Sequence, residues 1–279
     1  MKNCIVFGNC HGFPIRRYLA SSRTFQQSYQ LVDVPPIQAC NQAIGVGDHL
    51  LNQCDVFIYQ RTSSAFGPYL STEYLLSRLP ERCKRISIGN AYFMPYYPQF
   101  TPDNKEPLFG YGDQNVIQLL QGGVSKERIV TLLSDEQFYS SQDLKQMYAN
   151  FMADLRTREV GIDIPLTDFI ERHYRESHLF CTVCHPRYHI IRYLAMNILE
   201  RLGISGQEVA HVLHDVDFID LIHPIYPSVI KHLDLRFVRP GDRKYTLGSE
   251  MLTFPEYISR YVDYHSHPQQ NGSMSCSIS

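Results

Sequence analysis

The chain has 279 residues, with 26 basic and 28 acidic side chains and a formal net charge of −2. That length supports a full hydrophobic core in one large α/β domain, and the balance of charge leaves no basic footprint for nucleic acid. No apolar run reaches membrane-spanning length and the first is only a strand long, so the sequence reads as a cytoplasmic protein without membrane insertion.

Residues 3–7 predict a short buried strand, which runs into Gly8-Asn9-Cys10-His11-Gly12 and a helix from Pro14 to Ser21. Strands follow at 29–34, 54–60 and 83–88, with helices near 43–52 and 69–79 between them. Continuous apolar strands alternating with amphipathic helices imply a largely parallel sheet with flanking helices. The aromatic, proline-rich stretch from Tyr92 to Tyr111 reads as an ordered loop. Helices are predicted at 113–122, 125–133 and 135–159, with Ser125 and Ser134 as N-caps, forming a helical insertion around 113–175. Residues 179–183 read as a buried strand that rejoins the sheet, followed by Cys184-His185-Pro186 and a helix from Tyr188 to Leu202. After loop-rich segments containing Pro224, Pro227 and Pro240 comes a small helix near 254–262. Residues 1–262 are read as one α/β domain and 263–279 as a polar, disordered tail.

Ligands of such sheets sit beyond the carboxyl ends of the strands. The loops there carry Gly8, Asn9, Cys10 and His11, then Gln60 and Arg61, then Asn90. A thiol on a glycine turn at a helix start is favoured as thiolate, and Gly8-x-Cys10-x-Gly12 repeats the glycine spacing of the hydrolase nucleophile elbow. A structural cysteine after a buried strand is the simpler alternative. His185, just past another strand, is the candidate base for Cys10, with turn N–H groups, Asn9, Gln60 or Asn90 to hold a developing oxyanion. Asp220-Leu221-Ile222-His223-Pro224 fits the D-x-x-H-P pattern of serine esterases, which makes His223 the second choice.

Cys181-Thr182-Val183-Cys184-His185 also fits the C-x-x-C-H pattern of haem attachment or half a zinc site. No export signal accompanies it and no second ligand pair stands nearby, so no metal is expected. The eight cysteines mostly stand in apolar contexts, which argues against a disulfide framework. Arg156 and Arg158, with Glu159 and Asp163, form a charged patch at the end of the long helix: either a solvated face or a grip on phosphates.

Val6-Phe7-Gly8-Asn9-Cys10, Tyr111-Gly112-Asp113 through Gly123, Leu155-Arg156-Thr157-Arg158-Glu159 with Asp163, Leu179 through Pro186, and Ile225-Tyr226-Pro227-Ser228-Val229 together resemble the WcbI-like polysaccharide biosynthesis proteins. The resemblance implies coenzyme A or acetyl-coenzyme A as co-substrate, O-acetylation of a saccharide in capsule or envelope polysaccharide synthesis, and a site around the Gly-Asn-Cys turn. It also implies an SGNH-hydrolase-like topology. The chain departs from the family pattern in carrying His11 where Gln usually follows the cysteine, and Cys184 where Asn usually precedes His-Pro. His11 thereby becomes a further candidate base. A Cys-dependent esterase and a non-catalytic module that binds coenzyme A or a nucleotide-sugar are the competing functions.

Overall fold

The computed structural model describes residues 1–213 and 221–266. In chain order the elements are β1 (Lys2–Phe7), α1 (Gly12–Leu19), α2 (Arg23–Ser28), β2 (Tyr29–Leu31), α3 (Asp48–Asn52), β3 (Val56–Gln60), α4 (Thr72–Arg78) and β4 (Lys84–Ile88). Then follow β5 (Phe100–Glu106), β6 (Gly110–Asp113), α5 (Gln114–Gln121), α6 (Lys126–Leu133), α7 (Ser141–Arg158), α8 (Thr167–His173), β7 (Phe180–Thr182) and β8 (His185–Pro186). The last are α9 (Tyr188–Arg201), β9 (Leu221–Ile222), α10 (Pro227–His232), β10 (Tyr245–Leu247), β11 (Glu250–Leu252) and α11 (Phe254–Ser266). They form two compact units. The first holds Met1–Ala91, Leu155–Glu171 and the described residues 185–213, and the second holds Tyr92–Asp154, Arg172–Cys184 and the described residues from 221 onward.

The first unit is built on a four-stranded parallel sheet in the order β2-β1-β3-β4. The later residues of β1 and β4 and nearly all of β3 are buried, because helices cover the sheet. Ile5, Phe7 and Phe57 pack in one core with Leu51 of α3 and Leu75 of α4, while α1 packs on β1, and α9 on β4 and on α1. The apolar stripe Ile190, Ile191, Leu194, Ala195, Ile198 and Leu199 is buried, as the 3.6-residue period requires.

Residues 179–183 do not rejoin this sheet. The edge of β4 is taken instead by Ile164, which bridges Ile88 in parallel; Gly89 N–H donates to Ile164 O at 2.9 Å and Ile164 N–H to Ser87 O at 3.1 Å. Cys181 O accepts the N–H of His223 at 2.9 Å within the second unit. Periodicity alone cannot tell a central strand of a large sheet from a three-residue strand outside it.

The predicted 43–52 helix shrinks to α3, since Gly45 stands at φ 67° and Gly47 precedes the first turn. In the second unit the predicted loop before Tyr111 contains the antiparallel pair β5 and β6, and Leu221–Leu252 supplies an antiparallel sheet in the order β11-β10-β9. Of the predicted insertion, residues 113–154 belong to the second unit and 155–171 to the first. The terminal helix continues through residues 263–266; Asp220 and the tail beyond Ser266 lie outside the described residues.

Candidate active site

β1 ends at Phe7, and Gly8-Asn9-Cys10-His11 carries the chain into α1. The backbone closes this turn on itself: Gly12 N–H donates to Asn9 O at 3.1 Å, Phe13 N–H to Cys10 O at 3.3 Å and Ile15 N–H to His11 O at 3.3 Å. Asn9 Oδ1 accepts the His11 N–H at 3.0 Å, the local bond by which asparagine favours turns. Cys10 stands two residues before the helix and is partly exposed, whereas Cys4, Cys40, Cys54, Cys83 and Cys181 are buried. Burial pushes the Cys4 thiol up to about 12, although the nearby Arg16 pulls the other way.

Gln60, the last residue of β3, lies across the turn. Its Oε1 accepts the Asn9 N–H at 2.8 Å, and its Nε2 lies 3.4 Å from His11 Nδ1 and 3.4 Å from Asn90 Oδ1. Gly8 makes this approach possible, because a Cβ there would stand 2.3 Å from Gln60 Oε1. Asn90, just past β4, also accepts from Asn9 Nδ2 at 3.1 Å. The loops after β1, β3 and β4 are thereby stitched into one network. It holds Gly8, Asn9, His11, Gln60 and Asn90, all named from sequence, with Cys10 inside the turn. A shallow, open concavity adjoins it, lined by Gly8, Asn9, Gly12, Phe13, Arg16 and Pro36 among others.

Arg61 points elsewhere. Its guanidinium donates to Val160 O and Gly161 O, both at 2.8 Å, and so straps the chain after α7 to the end of β3. The charged patch at that helix end is not one solvated face. Glu159 is buried and accepts the N–H groups of Leu166 and Thr167 at 2.7 and 2.9 Å, capping α8. Its Oε1 would be 2.3 Å from a Cβ at Gly89, so only glycine fits at that strand end. Asp163 accepts Ser87 N–H at 2.9 Å and Ser87 Oγ at 2.8 Å and pairs with Arg201 at 2.9 Å. Partial burial raises its carboxyl, but these donors outweigh it and the net shift is downward. Arg156 and Arg158 remain exposed on the last turn of α7, Arg156 in an ion pair with Glu171. The roles of Glu159 and Asp163 as acceptors for backbone N–H groups are not visible in the sequence. The one usable signal was a pair of glycine and serine residues at the end of a strand, which leaves room for carboxylates to close in.

His185 is half-buried in β8, three residues before α9, and burial lowers its pKa from the ordinary histidine value. The expected ground for pairing it with Cys10, that both follow strands of one sheet, does not hold, because residues 179–183 lie outside that sheet. Cys10 stands two residues before α1 and His185 three before α9, and those two helices pack on each other. His223 belongs to the second unit, fully buried, with Nε2 2.8 Å from Phe109 O. In the C-x-x-C-H stretch, Cys184 Sγ lies 2.7 Å from Tyr111 Oη.

A parallel sheet flanked by helices defines an α/β protein, and its thiol turn, the His11 imidazole and three amide side chains stand at the strand ends, where such folds bind ligands. The chain belongs to the WcbI family: the model described as polysaccharide biosynthesis enzyme WcbI matches residues 3–207. It is also similar in structure to a solved WcbI, described as a novel polysaccharide biosynthesis enzyme in its native form without a disulfide bond between coenzyme A and a cysteine of that protein. The TM-score is 0.79 at 22% identity, over 95% of this chain and 90% of that one. At this identity the likeness carries the fold. No curated protein matches. Among the described residues no helix is long and apolar enough to cross a membrane.

Proposed function

We propose that the protein is a cytoplasmic acyltransferase that moves an acetyl group from acetyl-coenzyme A to a saccharide hydroxyl in capsule or envelope polysaccharide synthesis. The observation that carries this reading is the network that holds a partly exposed thiol turn among amide side chains at three strand ends. Membership of a polysaccharide biosynthesis family supports the acceptor class. The naming of coenzyme A beside a cysteine in the related protein supports the donor. The nucleophile's place after the first strand is the feature shared with SGNH-type esterases.

Coenzyme A would bring a thioester and anionic phosphates. Arg156 and Arg158 suit the phosphates in chemistry, because an exposed ion pair such as Arg156 with Glu171 contributes only about 0–1 kcal/mol and yields readily to a better anion. In the proposed cycle His185, kept neutral by burial, takes the proton of the Cys10 thiol. The thiolate attacks the acetyl carbonyl carbon, the carbon–sulfur bond to coenzyme A breaks, and that proton leaves with its thiol. The sugar hydroxyl then gives its proton to His185 as its oxygen attacks the Cys10 thioester; Cys10 departs as thiol with the same proton. Asn90 supports the carbonyl oxygen: its Oδ1 is held by Asn9 and Gln60, so its NH2 faces outward from an exposed position.

The test is release of coenzyme A thiol from acetyl-coenzyme A with and without saccharide acceptors. Acceptor-dependent release supports acyl transfer. Release that needs only water moves the protein to the esterases, and tight binding without release to the binding modules.

A further inference from the structure

We infer that Gln60 is a positioning residue that fixes the tautomer of His11 and the orientation of Asn90, and that it does not itself hold substrate. Asn9 N–H can only donate, so the atom of Gln60 it meets at 2.8 Å is the carbonyl oxygen. The amide's nitrogen end therefore faces His11 Nδ1 and Asn90 Oδ1, each at 3.4 Å, which occupies both of its N–H groups. An N–H facing His11 Nδ1 requires that nitrogen to accept, so the ring proton resides on Nε2. By the same logic Asn90 must offer its oxygen inward and its NH2 outward.

This chain of hydrogen bonds has one consistent direction, set by a single backbone N–H. Gln60 is 4% exposed and His11 1%, so bulk water does not supply the alternative partners. In a place this closed a reversed amide would set donor against donor at Asn9 and leave both groups unsatisfied. His11, which stands where the family pattern has glutamine, is thereby a hydrogen-bond donor through Nε2 and not a base through Nδ1.

The catalytic half of this inference rests on the acetyl-transfer reading; the tautomer half does not. Nitrogen-15 NMR of the histidine rings tests the latter in the full chain without any substrate, with the His11 signals assigned by their loss in His11→Gln. The expected spectrum at pH 7.5 shows an unprotonated Nδ1 and a protonated Nε2. Gln60→Glu is close in shape and keeps an acceptor for Asn9 N–H, but its second oxygen faces His11 and Asn90. In that variant the His11 proton should move to Nδ1, and acetyl transfer should fall about 100-fold in kcat with KM changed less than about threefold, the loss expected when one oxyanion donor is turned away. If Gln60→Glu fails to fold, the wild-type spectrum alone decides. A wild-type His11 protonated on Nδ1, or a Gln60→Glu protein with unchanged ring signals, overturns the inference whether or not the protein transfers acetyl groups. Normal His11 signals in a protein with no acetyl transfer leave the positioning intact and remove the acyltransferase reading.

Discussion

At the scale of single residues, the proposed chemistry depends on Cys10 differing from the buried thiols. Cys10 is partly exposed on a turn, while Cys4, Cys54 and Cys83 sit inside the sheet's core. Alkylation followed by peptide mapping should therefore label Cys10 well before those three, since access and thiolate character govern the rate. Equal labelling of Cys4 would contradict this, because burial holds its thiol near 12. His185 carries a second prediction. Its folded pKa is lowered by burial from the ordinary 6.5, so the ring is still more than half neutral at that pH, and the acid-side half-maximum of kcat/KM for acetyl transfer should lie below it. The same shift means that the unfolded chain binds a proton at this position more readily. The stability His185 contributes is complete above about pH 6.5 and is lost as pH falls through the lower folded value. A rate that already halves between pH 8 and 7 would remove His185 as the base.

At the scale of elements, the ends of strands matter more than their middles. Glu159 lets α8 begin at the edge of β4 by accepting two backbone N–H groups. Glu159→Ala should cost roughly 1–3 kcal/mol, read as a lower denaturation midpoint with an unchanged m-value, because two buried donors lose their acceptor. No change in midpoint would mean that water replaces the carboxylate there. In the second unit Asp113 caps α5 and accepts the Tyr226 hydroxyl at 2.8 Å. Burial pushes its carboxyl up to about 7 from an ordinary value of 3.8, with Tyr226 and the N–H groups of Val116 and Asn115 opposing the rise. Between those values the unfolded chain ionises and the folded one does not. Stability therefore falls as pH rises through this window and is regained below it, by at most ~4 kcal/mol. Thermal unfolding of Asp113→Asn should lack this component, so wild type should lose more Tm than the variant between pH 5 and pH 8. Parallel curves would place an ionised carboxylate at Asp113 throughout.

The same elements show what the sequence can tell. β1, β3, β4 and α9 are legible because their apolar residues follow one period without interruption, and the Gly8-to-Gly12 turn is legible because two glycines frame it. The network around Gln60 is legible in membership, since each member follows a strand, but not in direction: which amide end faces which neighbour is fixed by a backbone N–H that no sequence displays. Arg61 and Glu159 show the opposite limit. Both are charged residues that sequence reading sends to ligand or solvent, and both are spent on backbone groups across 99 and 7 residues of chain. β7 misleads for a related reason, because a buried three-residue strand carries no mark of the sheet it joins.

At the scale of the whole molecule, family membership and the strand-end site lead to one account, in which Cys10 carries the acetyl group between coenzyme A and a saccharide. The most direct measurement is the rate of acetyl transfer by wild type and Cys10→Ser, with acetyl-coenzyme A and a panel of capsule-type saccharides, alongside coenzyme A binding read as a shift in melting temperature. The account predicts acceptor-dependent transfer by wild type and a loss of about 1000-fold or more in Cys10→Ser, the scale of losing an activated nucleophile. The coenzyme A shift and the unliganded melting temperature should be the same in both. Full transfer by Cys10→Ser, or transfer by neither protein despite intact binding, would contradict it.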